Sequence, residues 1–135
     1  MKDFIQAWKA EHRYIAESLM GLRGVANDPH QCQRQLQEVK ERLLSHLKTE
    51  DEILYPAFRE KAKEDLRAQC IVDLFEQDMA NISREVLRFF EKYECIGDMG
   101  DFLKDLDVII ASLEKRIWNE ENVLMDEYQR ISQES

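Results

Sequence analysis

The sequence predicts an all-α protein, an up-down-up-down antiparallel four-helix bundle, on three observations. Apolar residues recur at alternating steps of three and four over long stretches, the spacing of one helix face. No stretch alternates apolar and polar residues between turn signals as a strand does. Only four glycines and two prolines interrupt the 135 residues, so connections are short, and short connections between long helices favour antiparallel neighbours. A single domain over residues 1–135 is expected, long enough to bury a continuous core.

The first helix is expected over residues 3–26, with Ile5, Trp8, His12, Ile15, Leu19 and Leu22 as its seam. Asn27-Asp28-Pro29 then breaks and restarts the chain. Asp28 suits a cap, Pro29 the first helical position, and Gln31 the partner position of a capping box. The second helix is expected over 29–62, its seam being Leu36, Val39, Leu43, His46, Glu50 and Ile53. Pro56 lacks a backbone donor and should kink or end it. The third, over 64–95, carries Ala68, Val72, Phe75, Met79, Ile82, Val86 and Phe89. Gly97 and Gly100 mark the next turn, and Asp98 or Asp101 can cap the fourth helix, over 101–133. Its seam runs Phe102, Leu106, Ile109, Leu113, Arg116, Glu120 and Val123, flanked by Leu103, Ile110, Ile117 and Leu124.

The two halves resemble each other. Leu43-Leu44-Ser45-His46 through Glu50 to Ile53-Leu54 aligns without gaps to Leu113-Glu114-Lys115-Arg116 through Glu120 to Val123-Leu124. Trp8-x-x-Glu11-His12-x-x-Ile15 aligns in the same way to Phe75-x-x-Asp78-Met79-x-x-Ile82. Two matches in the same order point to a duplicated helical hairpin.

Composition narrows the function. The chain is 44% apolar and 35% charged, a globular balance, with 28 acidic against 19 basic residues and a net charge of −9. Nucleic-acid binding needs a basic face to displace counterions, and an anionic membrane surface needs the same, so neither partner is expected. No basic-then-apolar start and no apolar run of membrane-spanning length is present. Cys32, Cys70 and Cys95 are widely spaced, without C-x-x-C, which fits reduced thiols in a cytoplasm.

The informative residues are polar ones on apolar stripes. His12, His46, Glu50, Arg116 and Glu120 all hold seam positions, and the repeat pairs 46 with 116, 50 with 120 and 12 with 79. They should share neighbouring layers near mid-bundle. Carboxylates neutralise a cation and neutral imidazoles complete its coordination, so two histidines and two glutamates converging in a bundle make a metal site. A lone histidine there is more often a satisfied core residue. Unpaired buried carboxylates, however, cost several kcal/mol each and call for a partner.

This order of residues resembles the hemerythrin-like (HHE cation-binding) family across nearly the whole chain. The resemblance lies in Glu11-His12, His46-x-x-x-Glu50 with the following Asp51-Glu52-Ile53-Leu54-Tyr55-Pro56, the Phe75-x-x-Asp78-Met79 block, and Arg116-x-x-x-Glu120-Glu121. It implies a bundle with a non-haem di-iron centre, and roles in oxygen or nitric oxide binding, iron sensing, or protection of iron centres. His12, His46, Glu50 and Glu120 match ligand positions, with Glu11, Asp78 and Glu121 in supporting places around them. Met79 stands where the third-helix histidine belongs and Arg116 where the fourth-helix histidine belongs. Arginine stays protonated and cannot ligate, and a thioether is a poor partner for iron among carboxylates.

The expected function is therefore a binding, sensing or iron-handling protein rather than an enzyme, with one non-haem iron or other divalent metal, or none. Two alternatives stand beside it. One is a metal-free regulatory or protein-interaction bundle held by a buried Arg–Glu–His network; the other is an intact di-iron protein reactive toward oxygen or nitric oxide. A metal ion or small gas is the partner implied, and no protein partner is indicated.

Other residues carry plainer readings. His30, at a helix start, reads as a surface residue, and Trp8, Phe75, Phe89 and Phe102 as packing. Trp118 falls off the seam and suits either a half-buried edge or an exposed partner surface. Tyr55 is expected near the site as a polar neighbour, its direction unfixed by the sequence. No nucleophile elbow, P-loop or dinucleotide glycine run is present.

Overall fold

A computed structural model describes residues 2–134. Among them it has helices and no strands. Four long helical segments pack as a bundle: α1 (Lys2–Gly21), α2 (Pro29–Thr49) continuing into α3 (Tyr55–Lys61), α4 (Leu66–Lys92), and α5 (Met99–Asn119) continuing into α6 (Met125–Glu134). A 3₁₀ turn, Leu22–Val25, closes α1. Helix α1 packs on α2 and α5, α4 packs on α3, α5 and α6, and α3 also meets α6. No helix among the described residues is long and apolar enough to cross a membrane.

Helices α2, α4 and α5, which open the second, third and fourth long segments, each start on an aspartate. The Asp28, Asp65 and Asp98 side chains accept from the backbone N–H of Gln31, Ala68 and Asp101 at 3.2, 3.0 and 2.9 Å, satisfying donors the helix itself leaves free. The capping box at Asp28 is half formed, because the Asp28 N–H donates to the Val25 carbonyl rather than to Gln31. Asp98, not Asp101, caps α5, and Asp65 caps α4 without having been expected to.

The seams pack as their spacing requires: Trp8, Ile15, Leu36, Leu43, Val72, Val86, Leu106 and Leu113 are all buried. Ile5 and Phe75 are only half-buried. Two expected seam residues are corrected. Ile53 is 50% exposed and Val123 44% exposed, while Leu54 and Leu124 are buried. The cause is a π turn at Glu50–Leu54 and another at Glu120–Leu124. A π turn carries one more residue than an α turn, so the inward position falls one residue later and the residue before it is thrown into solvent.

Pro56 does not end its helix; it sits in the first turn of α3, directly after the π turn, and helix continues to Lys61. The second π turn has no proline after it, so proline is not what makes these turns. What they share is a buried glutamate at the first position and a buried leucine at the last. Asp28 and Asp98, the starts of α2 and α5, the two π turns, and the starts of α3 and α6 are each separated by 70 residues.

Candidate metal centre

Five polar side chains meet in the interior between α1, α2, α5 and the two π turns. His12 comes from the middle of α1, His46 from the last turn of α2, and Arg116 from the last turn of α5. Glu50 and Glu120 open the π turns. All five are buried, none more than 4% exposed. They line a small cavity of about 10 Å³, on the scale of one water or ion.

The two imidazoles are oriented from outside. His12 Nδ1 lies 2.7 Å from Glu121 Oε2, and His46 Nδ1 lies 2.9 Å from Glu11 Oε1. A carboxylate only accepts, so each Nδ1 donates, and in the neutral imidazole each Nε2 turns a lone pair inward, the arrangement that holds ligating histidines. Both Nε2 atoms are buried without a hydrogen-bond partner. A buried polar atom left unsatisfied is costly, and two facing each other call for an occupant.

Glu50 is the group they face. Its Oε2 lies 3.3 Å from His46 Nε2 and 3.7 Å from His12 Nε2, close but not aligned for hydrogen bonding. Ligands about 2.0–2.2 Å from a common ion stand roughly 3–3.6 Å apart. Ligand atoms of His12, His46 and Glu50 lie within 4.8 Å of one another. These three residues therefore fit one cation. Glu50 Oε2 also accepts the Trp8 indole N–H at 2.9 Å, so Trp8 is more than packing. The signal was available: a buried indole seeks a partner, and Trp8 sits one turn before His12 on the same seam.

Glu120 stands on the other side. Its Oε1 is 3.7 Å from His12 Nε2, and its Oε2 accepts from Tyr55 Oη at 3.1 Å. Arg116 Nη2 is 3.5 Å from the same Oε2 and also donates to the Tyr55 hydroxyl and, at 3.0 Å, to the Phe75 carbonyl. Arg116 Nη1 meets Asp78 Oδ2 at 3.0 Å, and the guanidinium lies 4.9 Å from the Phe75 ring centroid. Asp78 is thus half in solvent and bound to Arg116 rather than to the histidines. Tyr55 is aimed inward by the one-residue shift of the π turn. Met79 is buried on α4, lining a groove with Leu47 and Ala80.

Electrostatics divide the two carboxylates. Burial works to raise Glu50, but its contacts with His12, His46 and Glu120 prevail and hold it well below the usual carboxylate range. Burial and the charge on Glu50 push Glu120 well above that range, with Arg116 and Tyr55 offsetting only part. Burial works to lower His46, yet the carboxylates of Glu50 and Glu11 raise it.

The remaining residues singled out lie elsewhere. His30 is exposed at the start of α2, and Trp118 is 61% exposed. All three cysteines are free, Cys32 buried and the other two exposed. Comparison with curated proteins and with solved structures returned no match. Comparison with protein families matches the Hemerythrin HHE cation binding domain over residues 3–128. With that match spanning almost the whole chain, and with a buried His12–His46–Glu50 group able to hold a cation, the chain belongs to the hemerythrin HHE cation-binding family.

Proposed function

We propose that this protein binds a single divalent cation, iron being the one the family points to, and serves in binding, sensing or handling that metal rather than in turnover. The observation that carries the reading is the pair of buried, unpartnered Nε2 atoms on His12 and His46, both facing Glu50. His12, His46 and Glu50 would hold the ion, with Glu120 beside it. Glu11 and Glu121 orient the imidazoles, and Trp8 fixes the Glu50 carboxylate. When bound, such an ion supplies a coordination position for a small gas such as oxygen or nitric oxide.

Arg116 replaces a second cation in this reading. Its guanidinium already lies beside Glu120, Tyr55 and Asp78, and its fixed charge repels another ion there. With Met79 in place of a further histidine, the dinuclear site is eroded. The duplicated hairpin belongs to the same reading and is supported by the 70-residue offset between corresponding caps and π turns. So do a single domain and the up-down-up-down sense, supported by the packing of α1 on α2 and of α4 on α3 and α5. Free thiols support a reducing, cytoplasmic setting.

Elemental analysis of protein purified from iron-supplied cells should find about one metal per chain, and His46→Ala should remove it. Protein that stays metal-free and melts unchanged after ferrous addition would overturn this reading. It would favour instead a metal-free interaction module, for which the hydrogen bonds already reaching Glu50 and Glu120 from Trp8 and Tyr55 speak. In Met79→His/Arg116→His, recovery of a second metal is the expected sign of erosion.

A further inference from the structure

A cation bound at His12, His46 and Glu50 must pass between helices, because these side chains are 1–3% exposed. Three surface grooves share lining residues with the inner cavity, and the shared residues differ in chemistry. The groove between α1 and α5, about 240 Å³, meets the cavity at His12 and Ile117. The cleft between α4 and α5, about 440 Å³, meets it at Arg116. The groove between α2 and α4, about 430 Å³, meets it at Leu47.

A divalent ion sheds its hydration water only as protein ligands replace it. Leu47 offers none. Asp78 and Glu85 also line the larger cleft, but Asp78 is already bound to Arg116 at 3.0 Å, and the cleft ends on that guanidinium, which has no lone pair to offer. The α1/α5 groove ends instead on a ligand, His12. Glu114 lies at its exposed rim and Glu121 deeper, the latter's side chain 26% exposed with Oε2 2.7 Å from His12 Nδ1. Glu121 therefore touches both water and the inner histidine. Arg13 is the basic side chain on that rim, leaving the carboxylates in excess. Trp118 flanks the opening.

We propose that the metal reaches its site between α1 and α5, over Glu114 and Glu121, and not past Arg116. This rests on the single-cation reading above, and the experiment separates the two. The probe is cobalt(II) alone, mixed rapidly with the full chain at low salt. Binding is read as quenching of Trp8, which touches Glu50 and lies 4.4 Å, centroid to centroid, from the His12 ring. A Trp118→Phe background leaves Trp8 as the only indole, since the chain has two tryptophans. Rim charges are then reversed one at a time, far enough from the ligands to leave equilibrium affinity within about twofold.

Glu114→Lys should slow association about two- to fivefold and Arg13→Glu should speed it by a similar factor, while Lys115→Glu, on the rim of the α4/α5 cleft, leaves the rate unchanged. Added salt should shrink both effects. Should Lys115→Glu accelerate binding while the other two do nothing, the route lies past Arg116 and the proposal is overturned, with the single-cation site intact. Equal effects at both rims would reflect net charge alone and would overturn it as well. If the unmodified protein shows no saturable one-to-one quenching, the single-cation reading itself fails and takes the route with it.

Discussion

A histidine becomes a ligand or a core residue according to what its far nitrogen touches. Glu121 and Glu11 each fix one imidazole through Nδ1, so replacing Glu121 by Gln should loosen His12 and lower metal affinity roughly 10- to 100-fold. A competition titration reads this, and a change under about twofold would make the carboxylate a bystander. Arg116 supplies countercharge to buried groups, and Arg116→Ala should cost roughly 3–5 kcal/mol by chemical denaturation. A neutral effect would mean that the guanidinium balances nothing. The metal-free protein also has a predictable pH response. His46 is raised above 6.5 and Glu120 above 4.5, and each binds a proton more tightly folded than unfolded, so their stabilisation fades as pH climbs through the folded values. Glu50, lowered from 4.5, loses its share only as pH falls below that value. Melting in chelator should therefore decline from pH 5 toward 8; a rise across that window would contradict the upward shifts of His46 and Glu120. His12, His46, Glu50, Arg116 and Glu120 were legible as polar residues on apolar stripes. Tyr55 was legible as a polar neighbour of the site but not in direction, and Trp8 only as packing, because an aromatic ring on a seam reads first as packing and only its polar tip says otherwise.

Helix periodicity located all four long segments, yet it failed at Ile53 and Val123. A seam counted in steps of three and four assumes uninterrupted α-helix, and a π turn adds a residue without a side-chain pattern to announce it. The consequence is testable. Ile53→Lys should change stability by less than about 0.5 kcal/mol, as for other exposed positions, whereas Leu54→Ala should cost roughly 2–5 kcal/mol. Denaturation giving the reverse order would restore the uninterrupted helix. Asp65 was missed for a different reason: the turn before α4 lacks the proline and glycine signals that marked the other two starts.

At the scale of the molecule, the bundle was legible because amphipathic helices with short connections have few ways to bury their faces together. Groove shapes were not, since they depend on which side chains end up at each helix–helix rim. A cation held by His12, His46 and Glu50 joins α1 to α2 and its π turn, and it binds the folded chain only. Adding metal at about 100 times its dissociation constant should stabilise the fold by about 2.7 kcal/mol, visible as a higher melting temperature that His46→Ala abolishes. An equal rise in that variant would place the metal elsewhere.

Arg116 has one more consequence, which follows from its being attached to the backbone. An ion bought from solution can be withdrawn by scarcity or by a competitor, but a guanidinium on a side-chain tether cannot be leached away. On the single-cation reading, one half of this interior therefore depends on supply, while the other carries its compensation permanently. Starving the protein of metal should empty only the His46 half and leave the Arg116 half assembled.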